Sequence, residues 1–138
     1  MFESILVPTD GSHHGDQAVR HGIELARAHD AELHLLYVVE PLDVPAPTAT
    51  ELAADRVERG ERVLAAHGTA TDFEITDAYV ARGTPCEVIS QYVTDADVDL
   101  VIVGLPGESD RGRRLGTTVR RLMRVLDVPV LTLPVAHQ

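Results

Sequence analysis

The chain has 138 residues, 44% hydrophobic and 25% charged, which predicts one globular domain over residues 1–138. All 12 basic residues are Arg and none is Lys, against 22 acids and a formal charge of -10; Schiff-base chemistry, a pyridoxal-phosphate lysine and a P-loop of the GxxxxGK[ST] kind are excluded. The single Cys excludes an internal disulfide and a Cys-pair zinc site, and the acidity argues against nucleic acid or anionic membrane as partner.

The opening MFESILVPTDGS has no charged region followed by a long apolar stretch, so no signal peptide is expected. No apolar run nears the ~18 residues of a membrane span, and a cytoplasmic location is the expectation. Ser4-Ile5-Leu6-Val7-Pro8 suits a buried strand, and Thr9-Asp10-Gly11-Ser12 a turn after it. A helix over 15–29 follows, with Ala18, Gly22, Leu25 and Ala26 on one face. Glu32 to Val39 is a second buried strand. The prolines at 41, 45 and 47 mark a loop, and a helix runs from about 49 to 67 with Gly68 as its stop. Alternation over 72–81 predicts a third strand.

Thr84-Pro85-Cys86-Glu87 is a helix start, with Thr84 as cap, Pro85 at the first helical position and Glu87 three residues after the cap. Val88, Ile89, Tyr92, Val93 and Ala96 form its apolar stripe. Asp99 to Val103 is an interior strand stopping at Gly104, and residues 105–115 are a Gly- and Arg-rich loop. Thr117 to Leu126 is a helix with Val119, Leu122, Met123 and Leu126 at i, i+3, i+4 and i+7. Val128 to Leu133 is the last strand. Five strands separated by four helices predict an α/β fold: an open five-stranded parallel sheet with helices on both faces. Ligands of such sheets sit beyond the strand C-terminal ends, where the strand order reverses.

Charge is uneven along the chain. Residues 1–110 hold 6 Arg against 21 acids, or -15, while residues 111–138 hold 6 Arg against Asp127 alone, or +5. Such a concentration suits either a bound anion or a solvated helix face. The loop after the fourth strand favours an anion. Gly104, Gly107 and Gly116 admit backbone N–H groups to a phosphate, Thr117 and Thr118 add hydroxyls at a helix start, and Arg111, Arg113 and Arg114 add guanidiniums. Abundant acid without Lys resembles the proteins of extreme halophiles; a GC-rich genome that codes Arg over Lys is the alternative.

Other residues carry less. Adjacent histidines such as His13 and His14 point apart, so with Asp16 they make a solvated helix entry rather than a metal site. Ser12 lacks a GxSxG elbow. Cys86 is a helix residue whose thiol sits near a helix dipole. Arg120, Arg121 and Arg124 form a solvated face rather than a DNA-reading one.

Over essentially its whole length the chain resembles a single-domain universal stress protein, through Ile5-Leu6-Val7-Pro8-Thr9-Asp10-Gly11-Ser12, the second strand, Val101-Ile102-Val103-Gly104 through Gly116-Thr117, and the ending Val128-Pro129-Val130-Leu131. The resemblance implies strand order 3-2-1-4-5, the adenine nucleotide alpha hydrolase-like arrangement. One branch of that family binds ATP through Gly, two residues, Gly, nine residues, then Gly-Ser or Gly-Thr. Here Gly104, Gly107, Gly116 and Thr117 match, with a second spacer of eight residues.

By the resemblance, Asp10 sits near ribose and adenine, Pro8 and Thr9 shape the wall, the Val38 backbone meets the adenine edge, and Val103 and Gly104 floor the site. Gly107, Gly116, Thr117 and Thr118 hold the phosphates of ATP or AMP, and Mg²⁺ is held by those phosphates rather than by a protein cage. The expectation is a stress-response protein that works by ligand occupancy and forms a homodimer through Val128–Leu133, an edge strand in this fold. No general base stands near the glycine loop, so at most slow ATP hydrolysis is expected. A nucleotide-free dimeric interaction module is the second reading, and a weak ATP hydrolase or phosphotransferase the third.

Overall fold

The computed structural model describes residues 1–106 and 113–134, with side chains of the last helix described from Thr118 onward. In chain order the elements are β1 Ser4–Pro8, α1 His13–His29, β2 Glu32–Val39, α2 Thr48–Thr69, β3 Asp77–Arg82, α3 Pro85–Asp95, β4 Leu100–Leu105, α4 Arg113–Val125 and β5 Val130–Pro134. The strands form one parallel sheet in the order β3-β2-β1-β4-β5, as expected from the resemblance. Among the described residues no helix is long and apolar enough to cross a membrane.

The period-2 geometry of the strands divides the interior into two cores. Ile5 and Val7 of β1 face one side with Leu33, Leu35, Ile102, Ala18 and Val19 of α1, and Leu64 of α2. Leu6 faces the other side with Leu36, Val101, Val103, Ile89 and Val93 of α3, and Leu122 of α4. Helices α1 and α2 therefore cover one face, and α3 and α4 the other. Ile5, Leu6 and Val7 are 0% exposed; each such side chain contributes about 1.5–3 kcal/mol by leaving water. At the opposite end from the loops that follow the strands, the Asp99 carboxylate accepts from the Glu3 and Ser4 N–H groups at 2.9 and 3.0 Å, tying the start of β1 to β4.

Element limits differ from the sequence expectation in several places: α1 begins at His13 rather than at residue 15, β4 runs through Gly104 to Leu105 rather than stopping at Gly104, and β5 spans Val130–Pro134 rather than Val128–Leu133. Helix α4 begins at Arg113 rather than Thr117, so Gly116 and Thr117 lie within its first turns instead of ahead of it; Arg and Leu are good helix formers and extend the helix backwards. Helix α2 passes through Gly68 and is capped at Ala70; the space beside Gly68 is open, and nothing there demands a left-handed residue. Thr84 stands at the α3 N-cap with Pro85 following, but its side chain makes no capping hydrogen bond. Residues 72–76 precede β3, whose pairing with β2 begins at His34 and Asp77. Apart from the Thr76 N–H bond to Leu33 O at 2.8 Å, their alternation reflects burial: Phe73 and Ile75 pack on the α1/α2-side core. Arg27 lies over the Phe73 ring at 5.4 Å and bonds Asp72, and that guanidinium hydrogen bond holds the Asp72 carboxyl below its ordinary value.

A polar chain crosses the α3 face between β2, β3 and α3. The Tyr92 hydroxyl donates to Asp77 Oδ2 at 3.1 Å and lies 2.7 Å from His34 Nδ1. With the phenolic proton given to the carboxylate, the Nδ1–H of His34 is the donor to the phenol oxygen. Burial raises the Tyr92 pKa, and the charge and hydrogen bond of Asp77 raise it further. A raised folded pKa contributes stability that is fully present below the unfolded tyrosine value and is lost as pH climbs past it. Replacing Tyr92 by Phe leaves Nδ1 of the buried His34 without its partner, and is expected to cost about 1–3 kcal/mol at neutral pH in urea unfolding. The same variant is expected to lose less stability than the parent between about pH 9 and 11, because the group that must ionise is gone.

Candidate functional site

The turn after β1 is shaped by its own side chains. The Thr9 N–H extends the sheet pairing to Leu36 O at 2.8 Å, while Thr9 Oγ1 accepts from the Gly11 N–H at 3.2 Å. Asp10 Oδ1 accepts from the Ser12 N–H at 3.0 Å, the local bond that makes Asp a turn residue. Gly11 has φ of 81°, a left-handed value suited to glycine. Ser12 then caps α1, its hydroxyl accepting from the Gly15 N–H at 3.2 Å.

These bonds set the floor of a crevice of about 350 Å³ over the C-terminal ends of the strands, within the size of small-ligand sites. Pro8, Thr9 and Asp10 line it from β1 and its turn, and Gly15 from α1. Tyr37, Val38, Val39 and Glu40 line it from β2. Arg56 and Arg59 of α2 close one side, Pro85 and Ile89 of α3 with Thr118 of α4 the other. A Cβ at Gly15 would stand 2.6 Å from Thr9 Oγ1 and 3.1 Å from Asp10 Oδ1, so glycine there lets the α1 amino end seat against the crevice floor. The second Asp10 oxygen, Oδ2, faces His14 Nε2 at 3.9 Å, and His14 itself is buried.

Of the residues singled out in the sequence, Pro8, Thr9, Asp10, Val38 and Thr118 meet in this crevice. Val103 lies in the α3/α4-side core and Gly104 packs behind α1; neither lines the crevice. A Cβ on Gly104 would fall 2.0 Å from the His14 carbonyl oxygen. Its glycine is therefore accounted for by helix-on-sheet packing before any phosphate. Gly107 and Arg111 lie outside the described residues, as do the side chains of Arg113, Arg114 and Thr117; those three and Gly116 belong to α4 by their backbone.

Sequence reasoning did not find Tyr37, Glu40, Arg56, Arg59, Pro85 or Ile89. One signal was available: Arg56 and Arg59 stand at i, i+3 beside Gly60 in a helix otherwise rich in acid and alanine. Among the described residues no group of His, Cys, Asp or Glu side chains is arranged to hold a metal ion. Cys86 packs partly buried against the α3/α4-side core.

The universal stress protein family model matches residues 1–134. The universal stress protein in the QAH/OAS sulfhydrylase 3′ region of Thermus aquaticus is 31% identical over 134 residues, which cover 95% of this chain and 98% of that one. The crystal structure of a family protein from Burkholderia pseudomallei superimposes with TM-score 0.79 at 26% identity, covering 96% of both chains. An Arabidopsis thaliana family protein with AMP bound gives TM-score 0.69 at 19% identity over 97% of this chain and 92% of its own. A universal stress protein in complex with cAMP gives 0.63 at 23% over 96% and 97%. The chain belongs to the universal stress protein family.

Gly104 gives a test of the packing that frames the crevice. Its replacement by Ala sets a methyl against backbone that cannot swing aside, and is expected to cost about 3 kcal/mol or more in denaturant unfolding. A change under about 0.5 kcal/mol would mean that α1 does not rest on β4 as described.

Proposed function

We propose that this member of the universal stress protein family binds an adenine nucleotide, ATP or AMP, in the crevice and acts in the stress response by occupancy rather than turnover. The observation that carries the reading is the convergence of Pro8, Thr9, Asp10, Val38 and Thr118 on one cavity of about 350 Å³, where the strand order turns back between β1 and β4. The family relatives holding AMP and cAMP support a nucleotide as the ligand class.

In this reading the Asp10 carboxylate accepts from a ribose hydroxyl and the Val38 backbone meets the base edge. The phosphates run toward the Thr118 hydroxyl and the amino end of α4, whose positive dipole end favours anions. Gly107, Gly116, Thr117, Arg111, Arg113 and Arg114 belong to the same proposed phosphate region, and Mg²⁺ is carried in on the phosphates. A homodimer through β5, the sheet edge beside β4, completes the proposal; Leu131 is exposed there.

Calorimetric titration of ATP with Mg²⁺, and of AMP, into protein stripped of nucleotide tests the reading, at moderate and at high salt. Saturable binding is expected, and Asp10→Ala is expected to weaken it at least about tenfold, the worth of one charge-assisted hydrogen bond. A folded protein that binds neither nucleotide would overturn the reading. Sedimentation of the unliganded chain tests the edge: Leu131→Asp is expected to shift a dimer toward monomer, and an unchanged dimer would place the contact elsewhere.

A further inference from the structure

Arg56 and Arg59 lie one helical turn apart and both face the crevice. They reach it because α2 sits close on β2: a Cβ at Gly60 would fall 2.6 Å from Tyr37 Cδ1. Arg59 Nη2 stands 3.8 Å from the place a Gly11 Cβ would take, which puts its guanidinium over the turn that carries Asp10. Neither arginine makes an ion pair or hydrogen bond among the described residues. Asp10 makes no ion pair with them; its Oδ1 accepts from the Ser12 N–H and its Oδ2 faces His14 at 3.9 Å. In a chain of net charge -10, two exposed guanidiniums at the wall of a cavity, neither in ion-pair contact with Asp10 or with Glu40 of the same crevice, are placed for an anion from outside.

That wall is not the one assigned to the 5′ phosphates. Helix α2 covers one face of the sheet and α4 the other, so the arginines and Thr118 stand on opposite sides of the crevice with Asp10 between them. We propose that Arg56 and Arg59 bind a second phosphate, carried on the ribose. The crevice then prefers a nucleoside bisphosphate, phosphorylated at the 5′ and at the 2′ or 3′ position, over a 5′-monophosphate. Asp10 takes the ribose hydroxyl left free; a carboxylate suits a ribose hydroxyl and a neighbouring arginine suits a ribose phosphate. The inference rests on the nucleotide reading of the crevice and adds the ligand class.

The test is titration of AMP, ADP, adenosine 2′,5′-bisphosphate and adenosine 3′,5′-bisphosphate into nucleotide-free wild type and an Arg56→Gln/Arg59→Gln variant. ADP carries as many phosphates as the bisphosphates, both on the 5′ side, and so controls for phosphate number. One bisphosphate is expected to bind wild type at least about tenfold tighter than AMP and ADP. The variant is expected to bind it no tighter than AMP, its affinity for the bisphosphate falling at least about tenfold more than its affinity for AMP. Wild type that binds AMP but shows no preference for either bisphosphate overturns this inference and leaves the nucleotide reading standing. So does a variant that keeps the preference, or one that loses AMP and bisphosphate alike. Wild type that binds none of the four overturns both. Should the glutamine pair fail to fold, Arg56→Lys/Arg59→Lys decides: it keeps charge but not the guanidinium fork, and its preference is expected to fall severalfold, an unchanged preference overturning the inference.

Discussion

The amino end of α1 rests directly on the sheet, and it does so only because two positions lack a Cβ. Gly104 meets the His14 carbonyl and Gly15 meets Thr9 and Asp10, each closer than a methyl group allows. This contact sets the height of the β1 turn over the strand ends. It also buries His14 and brings the amino end of α1 to the crevice floor. The Thr9 and Ser12 hydroxyls and Asp10 Oδ1 then accept from nearby backbone N–H groups, while Asp10 still lines the crevice. The site is thus framed by packing first and by polar chemistry second.

Much of this was legible in the sequence. The limits of β1 and β2 follow from uninterrupted apolar runs closed by turn residues, whereas α1 starts on its Ser12 cap at His13, two residues before the expected start. Thr9 and Asp10 were visible because a turn after a central strand of a doubly wound sheet is where ligands sit. Gly104 was visible as a glycine but not for its reason, since which backbone approaches it depends on the height at which α1 crosses β4. Arg56 and Arg59 were hidden for a related cause. Helical phase places them on one face, but only the contact of Gly60 with Tyr37 says that this face overlooks the crevice. Residues 72–76 misled because apolar alternation reports burial, and burial here comes from Arg27 and α1 packing rather than from a ladder.

Electrostatics follow the same division. The Arg-rich stretch from 111 to 124 drew attention because it stands out in a linear count. The arginines of α2, Arg56, Arg59 and Arg62, are interleaved with Glu51, Asp55, Glu58 and Glu61 and vanish in such a count. In three dimensions it is direction that matters. A charge aimed into a cavity with low-dielectric walls acts more strongly than one of several on an open face. An acidic protein can therefore present a cationic wall at one place without changing its net sign.

The two-sided use of each strand has a further consequence. Leu6 and Val7 are neighbours in the chain, yet one belongs with α3 and α4 and the other with α1 and α2. The two interiors share backbone but no side chains. Drift in one is invisible to the other: a lineage can remodel the packing of α3 and α4 by paired substitutions there while the α1 and α2 half keeps its inherited shape. The crevice draws walls from both halves, so its two sides are open to separate histories on a common frame.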